Sequence, residues 1–372
     1  MATSFKTFDP TKDSVVTRNL LHEAIPITGT IVSGTYADNN IKNYAHGMFQ
    51  SVYDYPFLSS SANHIFDITL GFPAASSLSR SYGTTTQQSK KINLYNQMAQ
   101  VLAGYDANGA IRRFDEDGDL TAGTKIDEAY FINFTRLLSK DEVKKGSFSL
   151  KLNVGAPGFS GYSSLSKDTL TITDKSGSEG YKVNSPAGEY GILFATGSGA
   201  VWDQSAGGYN AKWDRGYAKV GLIYYQAGIV VLSSSVFGSL LSSSVSMSRT
   251  EGVASHASAS VNGNFISSSI SGNCDNLRHR VQNISFNNST ELNSTVYFCR
   301  ANNTDFNYSS NPTYLSSSKI VVKNNSQDVP VSYVTSVGLY SADNELLAVA
   351  KLSEPLKKDP TTEFTIRVRL DY

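Results

Sequence analysis

Charge bias is missing from this chain of 372 residues: 32 Lys and Arg stand against 32 Asp and Glu. Without net charge there is no global basic field to hold nucleic acid or an anionic membrane. The colloidal repulsion that keeps copies apart is missing as well, which favours association. Charged residues make up only 17%, below the ordinary quarter. Uncharged Ser, Asn, Gly and Thr, with Tyr, take their place and suit strands, turns and protein-facing surfaces. Cysteine is scarce. Cys274 and Cys299 allow one bridge at most, supply no C-x-x-C metal pattern, and read as two reduced thiols. No apolar run approaches a membrane span, and the opening "MATSFKTFDPTKDSVV" has no apolar signal core. The expectation is a soluble chain made in a cytoplasm. On that reading the N-x-S/T triplets beginning at Asn283, Asn287, Asn288, Asn293, Asn302, Asn307 and Asn324 are strand edges and turns, not glycan sites.

Recognisable chemistry is also lacking. His22, His46, His64, His256 and His279 stand far apart, with no zinc-ligand spacing and no H-E-x-x-H. In "APGFSGYS" the glycines around Ser160 are wrongly spaced for a nucleophile elbow. "ATGSGAV", with Gly197 and Gly199, is followed by no P-loop lysine and reads as a turn. In "FDEDGDLTAG", Asp115, Asp117 and Asp119 have the one-three-five spacing of a calcium loop. Leu120, however, stands where such a loop needs glycine and Ile126 where it needs a bidentate glutamate, so the stretch reads as a solvated acidic turn. Trp202, Tyr209, Trp213 and Tyr217 could stack on a sugar, anchor a protein interface or pack under a hairpin. The residues predict no enzyme: no catalytic residue, no cofactor-binding residue, no metal ligand and no cofactor.

What the sequence does have is alternation. "EAYFINFTR", "SFSLKLNV", "EYGILFAT", "AKVGLIYYQAGIVVL", "STVYFCR", "TSVGLY", "ELLAVAKL" and the final "FTIRVRLDY" read as strands. In the last of these, Phe364, Ile366, Val368, Leu370 and Tyr372 share one face, which predicts a core strand ending on a buried tyrosine. "DTLTITDKSGSEGYKV" reads as a hairpin, "AKVGLIYYQAGIVVL" as two strands joined near Gln226, Ala227 and Gly228, and "SADNE" as the turn of another hairpin. Helix signals are fewer. "KKINLYNQMAQVLAG" places Ile92, Tyr95, Met98, Ala99 and Leu102 on one stripe, with Gly104 as its stop. "DSVVTRNLLHEAI" suggests a short helix through Val16, Leu20 and Ala24, and "SKDEVKKG" a single turn capped by Ser139 and Glu142 and closed by Gly146.

These readings assemble into a mainly β protein: an antiparallel β-sandwich-like body with a few short helices and a Ser-rich insertion. Residues 1–127 form an N-terminal region with short helices, and residues 128–231 plus 284–372 the β-rich body. Residues 232–283 are an inserted arm, serine-rich over 233–273, with too few large apolar residues for a core of its own; it reads either as a segment that packs against a partner or as a floppy surface loop.

Two stretches carry a resemblance. "NSTVYFCRANNTDFNYSSNPTYL", "SYVTSVGLYSADNELLAVAKLSEPLKKD" and the last strand resemble virion structural proteins of large tailed bacteriophages, especially marine phages with contractile tails. "INLYNQMAQVLAGY" and "KIDEAYFINFTRLLSKDEVKKGSFSLKLNV" are similar to the same group. The likeness touches much of residues 90–155 and 284–372. It implies a non-enzymatic structural component of a virion, of the tail or baseplate. Head, neck or decoration protein and receptor-binding fibre or spike module are the alternatives. The implied partners are other virion proteins and further copies of the chain in a multi-copy assembly, with no nucleic acid and no membrane; the implied location is the virion, assembled in the host cytoplasm.

Overall fold

The computed structural model describes residues 5–26, 38–76, 78–79, 85–120, 123–153, 169–198, 213–214, 217–237, 265, 269–309, 315–316, 319–320, 327 and 329–372. Most of the serine-rich arm, "APGFSGYS", Trp202, Tyr209 and His256 lie outside them. In chain order the strands are β1 (Ser14–Pro26), β2 (Ile41–Asn43), β3 (Gln50–Tyr53), β4 (His64–Gly71), β5 (Ala129–Phe134), β6 (Glu142–Val143), β7 (Ser149–Asn153), β8 (Thr169–Thr173), β9 (Lys182–Ser185) and β10 (Gly188–Ser198). They continue as β11 (Trp213–Asp214), β12 (Tyr217–Tyr224), β13 (Ile229–Ser233), β14 (Val281–Ala301), β15 (Leu315–Ser316), β16 (Lys319–Ile320), β17 (Ser332–Tyr340), β18 (Leu346–Lys358) and β19 (Phe364–Asp371). The helices are α1 (Thr86–Leu102), α2 (Arg136–Ser139), α3 (Gly177–Gly180) and α4 (Ile270–Arg280). The protein is mainly β, antiparallel, with a sandwich-like body and few helices, as its alternation predicts.

The chain packs as two compact units, one of Met1–Leu21 with Glu291–Tyr372 and one of His22–Thr290. Here they are called the terminal and the central unit. Residues 284–290 thus group with the central unit and 291–372 with the first residues of the chain, a grouping different from the one composition suggests.

In the central unit the strand path runs β14-β7-β8-β10-β12-β13-β5-β4-β3-β2. Its middle strands are apolar at nearly every position because both faces are covered. Along β5, Tyr130, Ile132 and Phe134 enter one buried cluster while Ala129 and Phe131 enter another. β13 divides the same way, Val230 and Leu232 against Val231. The first cluster gathers Ile41, Phe66 and Leu70 with Leu150, Ile172 and Phe286, so strands from distant parts of the path share one core. The rings of Phe134 and Phe286 lie 4.9 Å apart. The second cluster is closed by α1 through Tyr95, Ala99 and Leu102. Each large apolar side chain fully buried this way contributes roughly 1.5–3 kcal/mol.

The predicted stripe of α1 forms, and its start is a capping box of Thr85 and Gln88. Its end passes through Gly104 at φ +78°, the left-handed conformation glycine adopts without strain. A Cβ on Gly71 of β4 would collide with the Lys91 carbonyl oxygen, so the strand backbone lies directly against this helix. The β12–β13 hairpin also forms as read, turning through Gly228 at φ +66°.

Three local readings need correction. "DSVVTRNLLHEAI" is strand β1, not helix. Val15, Val16 and Thr17 are β-branched, and the residues around them run beside β14: the Phe298 amide donates to the Asp13 carbonyl at 2.8 Å. Together with β2, β3 and β4 this gives the described residues among the first 127 four strands besides α1. In "SKDEVKKG" the helical turn comes earlier, as α2. Lys140 at φ +52° breaks it, and Glu142 and Val143 pair with β14 instead of extending a helix. "DTLTITDKSGSEGYKV" is not a hairpin. β8 pairs with β7 and β10, while β9 pairs with β10, whose 11 residues accommodate both in succession.

Both described flanks of the serine-rich arm belong to the chain's own core. Val236, Phe265, Ile270, Cys274 and Leu277 are buried in the first cluster, so packing against a partner is not needed to order these residues. The remainder of the arm lies outside the described residues.

In the terminal unit β19 pairs with β14 in register from Ser294↔Asp371 to Ala301↔Phe364, and β17 pairs with β18. "SADNE" makes the second hairpin's turn, with Asn344 at φ +62° and Ser341 donating to the Glu345 carbonyl at 2.9 Å. The alternation of β19 is real but its burial is not as expected. Val368 alone on that face is buried, Phe364, Ile366 and Leu370 are half-buried, and Tyr372 is 71% exposed. Tyr372 is held by its backbone, paired both ways with Asn293, and by its hydroxyl 3.0 Å from that of Thr295.

Candidate functional site: an acidic loop and an open β surface

The three histidines whose side chains are described meet different partners. His22 meets the Ser289 hydroxyl at 2.9 Å, His46 stacks on Tyr44, and His64 pairs with Asp67 at 2.8 Å. Cys274 and Cys299 are unbridged; burial pushes both thiols up, and the Cys274 thiol meets the Ile68 carbonyl at 3.3 Å. Among the described residues, Gly197 lies inside β10 rather than in a turn. Trp213 and Tyr217 carry backbone pairs of β11 and β12, Trp213↔Ala218 and Asp214↔Tyr217.

Two buried charges missed by sequence reading serve packing. Asp174, just past β8, accepts from the Gly146 and Phe148 amides at 2.7 and 2.9 Å and from the Tyr225 hydroxyl at 3.1 Å. Burial outweighs those bonds and raises its carboxyl to about 6. Lys91 on α1 donates to the Phe265 carbonyl and is lowered by burial to about 8. No local pattern flags either, since their neighbours come from far along the chain.

One group does converge. The carboxylates of Asp115, Asp117 and Asp119 bring one oxygen each within 4.8 Å of one another. The group follows Phe114, which is buried in the second cluster. Asp115 has no solvent exposure. Its Oδ2 takes the Lys125 ammonium at 2.6 Å, while its Oδ1 is buried with no hydrogen-bond donor. Asp117 is half-buried and Asp119 exposed. Burial raises the Asp115 carboxyl from its ordinary value; Lys125 opposes this, and the Asp117 charge adds to it. The turn is clamped from the sheet side. The Gly118 carbonyl accepts from the Tyr190 hydroxyl at 2.9 Å and from the Asn184 side chain at 3.2 Å.

The terminal unit presents a different surface. Its β17–β18 ribbon exposes Tyr333, Tyr340, Leu346, Leu347, Val349 and Leu356, several of them more than half exposed. A two-stranded ribbon alone is marginally stable in water. β1 adds exposed Val15, Val16, Leu20 and Leu21 at the end of the strand path. Such an edge presents backbone donors and acceptors to a further strand. No helix among the described residues is long and apolar enough to cross a membrane.

Fold and surface together define a class: an antiparallel β protein with one well-filled unit and one open apolar β surface. Comparison with protein-family models, with curated proteins and with solved structures gives no match.

Proposed function

We propose that this chain is a non-enzymatic structural component of a bacteriophage virion, placed in the tail or baseplate and acting through protein–protein assembly contacts. One observation carries the assembly half of this reading: the terminal unit holds large apolar side chains in regular strands but leaves them in water. Exposed apolar surface on an ordered element marks an interaction face. Tyrosine and aliphatic side chains with few charges suit an interface that buries them. The virion half rests on the resemblance of residues 284–372 and 90–155 to tailed-phage structural proteins. Neighbouring copies and other virion proteins are the partners this surface fits.

The test is to purify particles of the phage encoding the chain, quantify it by mass spectrometry against tail and head proteins, and locate it with labelled antibody. A copy number in small multiples of three or six with label on the tail supports the proposal. Label on the head or neck moves the chain to a head, neck or decoration role, and label at fibre tips to receptor binding. Absence from purified particles overturns the reading.

A further inference from the structure

We propose that Asp115, Asp117 and Asp119 form a calcium site, one ion per chain, with Asp115 Oδ1 as its inner ligand. The inference stands on the central unit alone and is independent of the virion reading. Three carboxylates and one ammonium leave the turn with a net negative charge in a partly dry place. Lys125 satisfies only one oxygen of Asp115. The other is buried without a donor, which is costly for a charged oxygen unless a cation faces it. It faces the remaining carboxylates: a Cβ on Gly123 would lie 3.1 Å from Asp117 Oδ2 and 3.8 Å from Asp115 Oδ1, so both oxygens front the same small space.

The spacing fits the ion. Calcium takes oxygens at about 2.3–2.6 Å, so two ligands on opposite sides of it stand about 5 Å apart. The three carboxylates lie within 4.8 Å of one another. A set of oxygens with no imidazole or thiolate selects a hard cation over zinc or copper. The one-three-five spacing alone reads as a solvated turn because Leu120 replaces the glycine of a calcium loop. The structure removes that objection: Leu120 sits at φ +62°, the left-handed conformation the glycine would supply. The second objection stands and sets the strength. Ile126 is buried in the apolar cluster, its carbonyl taken by the Tyr95 hydroxyl at 2.6 Å, and contributes no carboxylate. With the bidentate ligand missing, the dissociation constant belongs in the weak class of about 10⁻⁴–10⁻³ M.

The test uses the full chain, stripped with chelator and titrated with CaCl₂ by calorimetry, with thermal melts in parallel. One site per chain in that range is expected, with the melting temperature raised by about 2 °C or more at about 10 mM calcium. Asp117→Asn with Asp119→Asn, at the more exposed positions, is expected to weaken binding at least tenfold while the metal-free melt stays near wild type. Lys125→Met is expected to lower the metal-free melt, because Asp115 loses the ammonium that pairs with its Oδ2, and to bind calcium more tightly, with calcium restoring most of the lost stability. A solvated turn would show no such rescue. The proposal is overturned if folded wild type takes up no calcium, if the double variant binds equally well, or if magnesium binds more tightly than calcium.

Discussion

The two units are written in the same period-2 alphabet and are filled differently. In the central unit nearly every alternating apolar residue is buried, in two clusters that cover both faces of its middle strands. Among the described residues of the terminal unit the buried apolar ones are Ala301 and Val368, while the other buried positions are Ser294, Thr295, Ser332 and Lys358. The Lys358 ammonium is held by the carbonyls of Asn303 and Asp359 and by the side chain of Asn307, at 2.7–3.2 Å. Alternation specifies that a strand has two unlike faces; it does not specify what covers the apolar one. Where the chain itself covers it, a core results. Where it does not, the strand is ordered by hydrogen bonds and turns, and its apolar face is left for another molecule.

The largest effect should follow from opening the filled side. Phe134 joins β5 to the rings of Phe66, Phe148 and Phe286. Phe134→Ala should destabilise the isolated protein by about 3–5 kcal/mol, read as a shift of the urea midpoint. A cost below about 1 kcal/mol would mean that the first cluster is not the closed core described above.

Removing residues 364–372 should act on a smaller part of the molecule. Neither buried cluster contains a residue from β19, so the central unit should keep its protected amides in hydrogen exchange. Residues 294–301 should lose protection along with their partner strand, and the freed edge should promote aggregation. Loss of protection throughout β5, β12 and β13 would show that the terminal strand is needed by the central core, and the contrast between the units would fail.

Legibility followed locality. The α1 stripe, the β12–β13 turn at Gly228 and the β17–β18 turn at residues 341–345 are written in neighbouring residues, and all three form as read. β1 was hidden because Val16, Leu20 and Ala24 also fit a helical stripe, and only pairing with the distant β14 decides between the two periods. The pairings of β8 and β9 depend on the length of β10, which neither strand encodes. Within the acidic turn the spacing of the three aspartates was visible. The burial of Asp115, the reach of Lys125 and the clamp from Tyr190 were not, since these partners come from 10 to 72 positions away.

Asp174 makes a smaller, pH-dependent contribution on the filled side. Its carboxyl titrates near 3.8 when unfolded and at about 6 in the folded protein. Between those values the folded state binds more protons, so this group's contribution is full below about pH 4 and is lost as pH rises through 6. The difference is on the order of 2–3 kcal/mol between pH 4 and pH 7. Asp174→Asn cannot titrate. It should be less stable than wild type at pH 4, where it loses an acceptor for the Gly146 amide or the Tyr225 hydroxyl, and the gap should narrow toward pH 7. Parallel urea curves for the two proteins across that range would remove Asp174 as a titrating group.

The smallest effect on the isolated protein should come from the open side, and it discriminates most. Leu346, Leu347 and Val349 are 54%, 68% and 61% exposed. Replacing all three with threonine puts a β-branched residue, which suits a strand, at each position and removes most of the apolar surface. In the free protein the change should cost no more than about 0.5 kcal/mol per site, because surface substitutions away from packing contacts stay in that range. In assembly the same change should be severe, since an interface depends on a few well-buried apolar anchors. Wild type and the triple variant, differently tagged and co-expressed during infection, can be compared in purified particles. Strong depletion of the variant from particles, with an unchanged melt of the free protein, is the expected result. Equal incorporation would show that the β18 end of the ribbon faces water in the assembled state too. A loss of several kcal/mol in the free protein would show instead that these residues already pack within the chain, making the terminal unit a second core rather than half of an interface.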